Sequence, residues 1–89
     1  MKQRVLFIGT NNAARTQMAE GYLRARYGER YEACSAGIAP TALDPLAARV
    51  MDEIGISISE QRAKDLTLFD GTEMDYVVAL ETLRVSQAR

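Results

Sequence analysis

The apolar and polar positions change rhythm several times along this chain, and each change predicts an element. Val5-Leu6-Phe7-Ile8 is continuously apolar, which predicts a short strand over residues 4–8, buried on both faces of a parallel sheet. Gly9 through Ala14 are small and polar, a loop. From Arg15 the spacing turns helical: Met18, Ala19, Tyr22 and Leu23 share one face, Glu20, Arg24 and Arg26 lie largely away from it, and Gly28 is a natural stop. A second strand is predicted over 31–36, ending at Gly37. At Asp44-Pro45 the aspartate caps a helix whose first turn the proline fills, where no amide hydrogen is needed. Leu46, Ala47, Val50, Met51 and Ile54 form its apolar stripe, and Gly55 closes it. Ile56 and Ile58 suit a short extended piece. Residues 59–69 are mixed, with one or two helical turns. Tyr76-Val77-Val78-Ala79-Leu80, within 74–80, predicts a third buried strand, and residues 81–89 suit the start of a further helix.

Strand, helix, strand, helix, strand in this order predicts βαβ units with right-handed crossovers. The expected fold class is α/β, one domain over residues 1–89 around a parallel sheet. At 89 residues one core is feasible but small. A net charge of −1 gives no nucleic-acid footprint, and no apolar run has the length to span a bilayer. The apolar run after Lys2 and Arg4 is too short for a signal-peptide core, so a cytoplasmic location is expected. One cysteine, Cys34, and no histidine exclude an intrachain disulfide, a Cys/His zinc site and a Ser-His-Asp triad. Asp70, Glu73 and Asp75 read as a solvated turn, so neither a metal nor a cofactor is expected. Arg62 and Lys64 read as solvated or paired with Asp65 or Glu60, Tyr22 and Tyr27 as core or half-core, and Tyr31 and Tyr76 as packing residues of strands.

Candidate chemistry concentrates in Gly9-Thr10-Asn11-Asn12-Ala13-Ala14-Arg15-Thr16. A loop between a parallel strand and its following helix opens at the carboxyl edge of the sheet, where α/β proteins bind ligands. Successive amides there can form a nest for an anion, aided by the helix N-terminus. Small residues let the backbone approach closely, Asn11 and Asn12 tolerate left-handed angles, and Arg15 offers a planar fork to two oxygens. The expected ligand set for a phosphate, sulfate or arsenate-like oxyanion is therefore Thr10, Asn11, Asn12, Ala13, Ala14, Arg15 and Thr16. The same residues also fit an ordinary turn in which the asparagines satisfy backbone groups.

Context favours the first reading. Val5-Leu6-Phe7-Ile8, this loop and Gln17-Met18-Ala19-Glu20-Gly21 resemble the low-molecular-weight protein tyrosine phosphatases and their thioredoxin-coupled arsenate reductase relatives. Ser35-Ala36-Gly37, Asp44-Pro45, Gly55-Ile56-Ser57-Ile58-Ser59 with Arg62-Ala63-Lys64, and Asp75-Tyr76-Val77-Val78-Ala79-Leu80 match in the same order. The resemblance implies a three-layer fold with a central parallel sheet and a loop signature Cys-x5-Arg-Ser/Thr. It also implies a continuation past Arg89 through an Asp-Pro loop bearing the general acid, a fourth strand and a closing helix. Here the signature opens on Gly9, so the thiolate that begins both family reactions has no counterpart. Ala13 and Ala14 stand where relatives often carry serine and cysteine, and Ala79-Leu80-Glu81 lacks the reductases' redox cysteine. Cys34 reads as a small strand residue.

The expectation is an oxyanion-binding member without catalytic residues. Two alternatives stay open: an active phosphatase or arsenate reductase lineage in which Gly9 is an inactivating change, and a non-enzymatic interaction module that self-associates through the exposed edge of its third strand.

Overall fold

In a computed structural model of the chain, residues 2–80 are described. Three parallel strands, β1 (Gln3–Gly9), β2 (Tyr31–Gly37) and β3 (Tyr76–Ala79), form one sheet in the order β2-β1-β3. Helix α1 (Arg15–Tyr27) connects β1 to β2 and lies against both, and α2 (Pro45–Glu53) packs on α1. A 3-10 turn over Leu66–Phe69 precedes β3. At the end of β2, Gly37 makes an isolated parallel bridge with Asp65, and its amide donates to the Lys64 carbonyl at 2.9 Å. A further helix over 81–89 lies outside the described residues.

The central strand forms where its apolar run predicts, although Phe7 and Ile8 are only half-buried. Val5 and Leu6 point to opposite faces and both are buried. Gly9 continues the strand one residue beyond its predicted end and pairs with Gly37. Local signals also hold in α2. Asp44 Oδ1 accepts the Leu46 amide at 2.9 Å, and Pro45 occupies the first turn. At the other end Gly55 takes φ 79°, which lets the Ile56 amide reach back to the Met51 carbonyl at 3.0 Å.

The faces of the elements differ from expectation. In α1 the inward side carries Thr16, Gln17, Glu20 and Gly21, while Met18, Ala19 and Leu23 are half-buried and Tyr22 is exposed. The helix is rotated because each of those polar side chains finds a partner behind the loop. In addition, a Cβ on Gly21 would lie 2.4 Å from Ile58 Cγ2, a close approach that glycine permits. In α2 only Ala47 and Met51 of the predicted stripe are buried, and they join Ile56 and Ile58 in the apolar cluster between the two helices. Leu46, Val50 and Ile54 are exposed, since α2 meets α1 along one narrow line.

Tyr76, Val77 and Val78 of β3 are exposed as well, which corrects the expected buried strand. Among the described residues β3 has a strand neighbour only on its β1 side. Tyr22 and Tyr27, expected in or near the core, are exposed, and Arg26 stacks over the Tyr22 ring at 5.5 Å. Tyr31 is half-buried beneath Arg30.

Candidate functional site

The 9–16 loop owes its shape to what its carbonyls do. Gly9, Thr10, Asn11 and Ala13 each turn a carbonyl to the 38–44 segment, accepting the amides of Ile38, Ala39, Thr41 and Asp44 at 2.8–3.2 Å. Asn11 Nδ2 adds a bond to the Ala39 carbonyl. Gly37 makes this approach possible: a Cβ there would sit 2.6 Å from the Thr10 carbonyl oxygen and 2.9 Å from the Asn12 nitrogen.

With the carbonyls directed outward, the amides of Asn11, Asn12, Ala13 and Ala14 donate to no acceptor among the described residues. Ala14, the residue before α1, supplies no side-chain cap. Gly9, Asn11, Asn12, Ala13, Ala14, Arg15 and Thr16 line a cavity of about 180 Å³ at this uncapped end. Thr10, expected with them, does not line it.

The two asparagines have separate parts. Asn12 takes φ 52°, the left-handed conformation its residue type tolerates, but its side chain points into the protein rather than the cavity. Its Nδ2 donates to Thr16 Oγ1 and Ser35 Oγ, each at 2.9 Å, and its Oδ1 accepts from Gln17 Nε2 and the Lys64 amide. Thr16, also buried, is thus held by Asn12.

Behind the loop stands a buried polar cluster that sequence reasoning missed. Glu20 accepts the Ser35 hydroxyl and the Lys64 ammonium (3.3 Å) on one oxygen and Arg24 on the other. Two cations and a hydroxyl thereby meet the carboxylate's solvation requirement, without which its burial would be strongly unfavourable. Lys64, expected to be solvated or paired with Asp65 or Glu60, is part of this cluster instead. The signal lay in α1, where Thr16, Gln17, Glu20 and Arg24 recur at helical spacing beside a glycine. Their partners, distant in sequence, were not visible there.

Other candidates stay apart from the cavity. Cys34 is paired with Leu6 and alternates with Ser35, so it projects from the opposite face of the sheet. Burial first, then the charges of Glu32 and Glu20, push its thiol above the ordinary range, the reverse of an activated nucleophile. Asp75 bonds the Arg4 amide at 2.7 Å and anchors the start of β3. Among the described residues no three His, Cys, Asp or Glu side chains come together as a metal site, and no helix is long and apolar enough to cross a membrane.

Residues 4–89 match the family model of the low molecular weight phosphotyrosine protein phosphatases. The chain belongs to this family. It is 38% identical over 79 residues to an arsenate reductase of Halalkalibacterium halodurans, a match covering 89% of this chain and 57% of that protein. A solved arsenate reductase in the phosphate binding state superposes with a TM-score of 0.84 at 30% identity, covering 97% of this chain and 66% of that one. The low molecular weight protein tyrosine phosphatase of T. tengcongensis superposes at 0.79 with 37% identity, covering 89% and 58%. The chain spans about half the length of the curated relatives it matches. Family membership and the parallel α/β fold are therefore shared with these proteins.

Proposed function

We propose that the 9–16 loop binds a tetrahedral oxyanion, phosphate, sulfate or arsenate, and that it does so without nucleophilic turnover. The observation that carries this is the row of amides from Asn11 to Ala14, without a described acceptor, around a small cavity at an uncapped helix N-terminus. Arg15 lines the same cavity and brings the guanidinium that suits two anion oxygens. A related arsenate reductase was solved in its phosphate binding state. Gly9 stands where the family's signature opens on cysteine, so no side chain there can attack phosphorus or arsenic. The amides and Arg15 do not depend on that cysteine, and its absence removes a negative charge that would repel the incoming ion. The single thiol, Cys34, suits a reducing cytoplasm.

Calorimetric titration with inorganic phosphate tests the reading directly. Binding is expected for the native chain, and Arg15→Ala is expected to weaken it by about tenfold or more, as loss of a charge-assisted pair does. No heat with millimolar phosphate or arsenate, or an affinity indifferent to Arg15, would sink it. Gly9→Cys separates a binding domain from a masked enzyme: restored hydrolysis of an aryl phosphate would favour the active-lineage alternative.

A second reading has its own observation. Tyr76 and Val77 are exposed on β3, and Phe7, Leu23, Tyr27, Tyr31, Tyr76 and Val78 line an apolar trough of about 570 Å³ between α1 and that strand. Self-association through β3 would cover it. Sedimentation giving a monomer at all concentrations would remove this reading and leave anion binding untouched.

A further inference from the structure

The left-handed turn at Asn12 is the most constrained point of the loop. Asparagine tolerates this conformation better than most non-glycine residues, but it persists at one position only where the surroundings hold it. Four groups meet Asn12, but only one touches both its backbone and its side chain. Gln17 Nε2 donates to the Asn12 carbonyl at 2.9 Å and to Asn12 Oδ1 at 3.0 Å, and also to the Arg62 carbonyl at 2.8 Å. Two amide hydrogens serve three acceptors, so one hydrogen is shared between the two oxygens of Asn12. A shared hydrogen of this kind locks the Asn12 side chain relative to its own peptide plane.

The direction of the Gln17 amide is itself set from outside the loop. Gln61 Nε2 donates to Gln17 Oε1 at 2.8 Å and to the Gln17 carbonyl at 3.0 Å. Arg24 Nη1 donates to Gln61 Oε1 at 3.1 Å. Arginine has donors only, so it fixes which end of the Gln61 amide faces it. Gln61 must then present its NH2 to Gln17, and Gln17 must present its own to Asn12. Arg24, Gln61, Gln17 and Asn12 form a chain in which every donor points toward the loop. Gln17 is fully buried, with no water to take over a lost partner, and neither Gln17 nor Gln61 lines the anion cavity.

We propose that Gln17, oriented by Gln61, is a positioning residue that holds Asn12 left-handed and so sets the loop's amides for the anion. The proposal rests on the oxyanion-binding reading for its effect on affinity, and on the ligand-free protein for its effect on Asn12. Gln61→Glu keeps the shape of the side chain and its contact with Arg24 but cannot donate to Gln17. Gln17→Met keeps the length and burial but has no amide.

The experiment records the nitrogen–proton spectrum of each folded variant without ligand, then its affinity for inorganic phosphate. The Asn12 and Lys64 amide resonances are expected to move in both variants, with protection of the Lys64 amide from exchange reduced. Phosphate affinity is expected to fall about tenfold in Gln17→Met and severalfold in Gln61→Glu, the scale of one or two lost hydrogen bonds. The double variant is expected to be no weaker than Gln17→Met alone, because both act through one path. Unmoved Asn12 resonances, or losses that multiply in the double variant, overturn the proposal. If Gln17→Met does not fold, Gln61→Glu decides by the same criteria. If the native chain does not bind phosphate, oxyanion binding fails, and the ligand-free spectra still decide whether Gln17 positions Asn12.

Discussion

The two helices of this chain begin in opposite ways. α2 starts with Asp44, whose carboxylate accepts the Leu46 amide, followed by a proline that needs no partner. α1 starts with Ala14 at φ −128° and ψ −81°, with no capping side chain. One N-terminus is completed by the sequence next to it. The other has no side-chain cap at Ala14, although its loop is held from behind by a dense set of hydrogen bonds. A missing cap means little in a frayed surface helix; next to a loop held this firmly it is the feature on which the oxyanion-binding proposal rests.

The contrast can be broken first at Asn12. Asn12→Ala leaves the groups it serves on Thr16, Ser35, Gln17 and Lys64 without their partner. A loss of about 2–4 kcal/mol in urea unfolding is expected, with phosphate binding abolished. Asp44→Ala should cost about 1 kcal/mol, the usual value of an N-cap, and leave phosphate affinity unchanged. If binding fell with it, the two ends would not be independent. Ala14→Asp sharpens the comparison from the other side. The backbone angles at Ala14 are not those of a capping residue, so little stability is expected, about 0.5 kcal/mol or less, while the added charge should weaken phosphate binding severalfold.

The smallest effect concerns the turn at Leu66–Phe69. Asp65 accepts both the amide and the hydroxyl of Thr67, and these bonds hold its carboxyl below the ordinary range. A depressed folded-state value means that the ionised cap contributes above the unfolded value and that the contribution is lost as pH falls through the folded one. Stability measured below about pH 4 should therefore decline less in Asp65→Asn than in the native chain.

What the sequence made legible follows distance along the chain. The strand at Val5-Leu6-Phe7-Ile8, the Asp44-Pro45 start and the Gly55 stop depend on neighbours within a few residues, and all three stand as expected. The tolerance of Asn12 for a left-handed turn was also readable, as was the family, from motifs spread in order across the chain. The rotation of α1 was not. An apolar count put Tyr22 inward, whereas Gln17, Glu20 and Gly21 are what the fold encloses. Their partners Gln61 and Lys64 lie 44 residues away, beyond the reach of any helical periodicity. The outward turn of Leu46, Val50 and Ile54 has the same origin, since the stripe was apolar but the surface available to it was narrow.

The bond from the Lys64 amide to Asn12 Oδ1 closes a separation of 52 residues. During synthesis the first strand and α1 are made long before that partner exists. The bond that fixes Asn12 Oδ1 in the folded loop therefore depends on chain made well after the loop itself. On the oxyanion-binding reading, an anion that recognises only the completed loop is expected to slow unfolding more than it speeds folding.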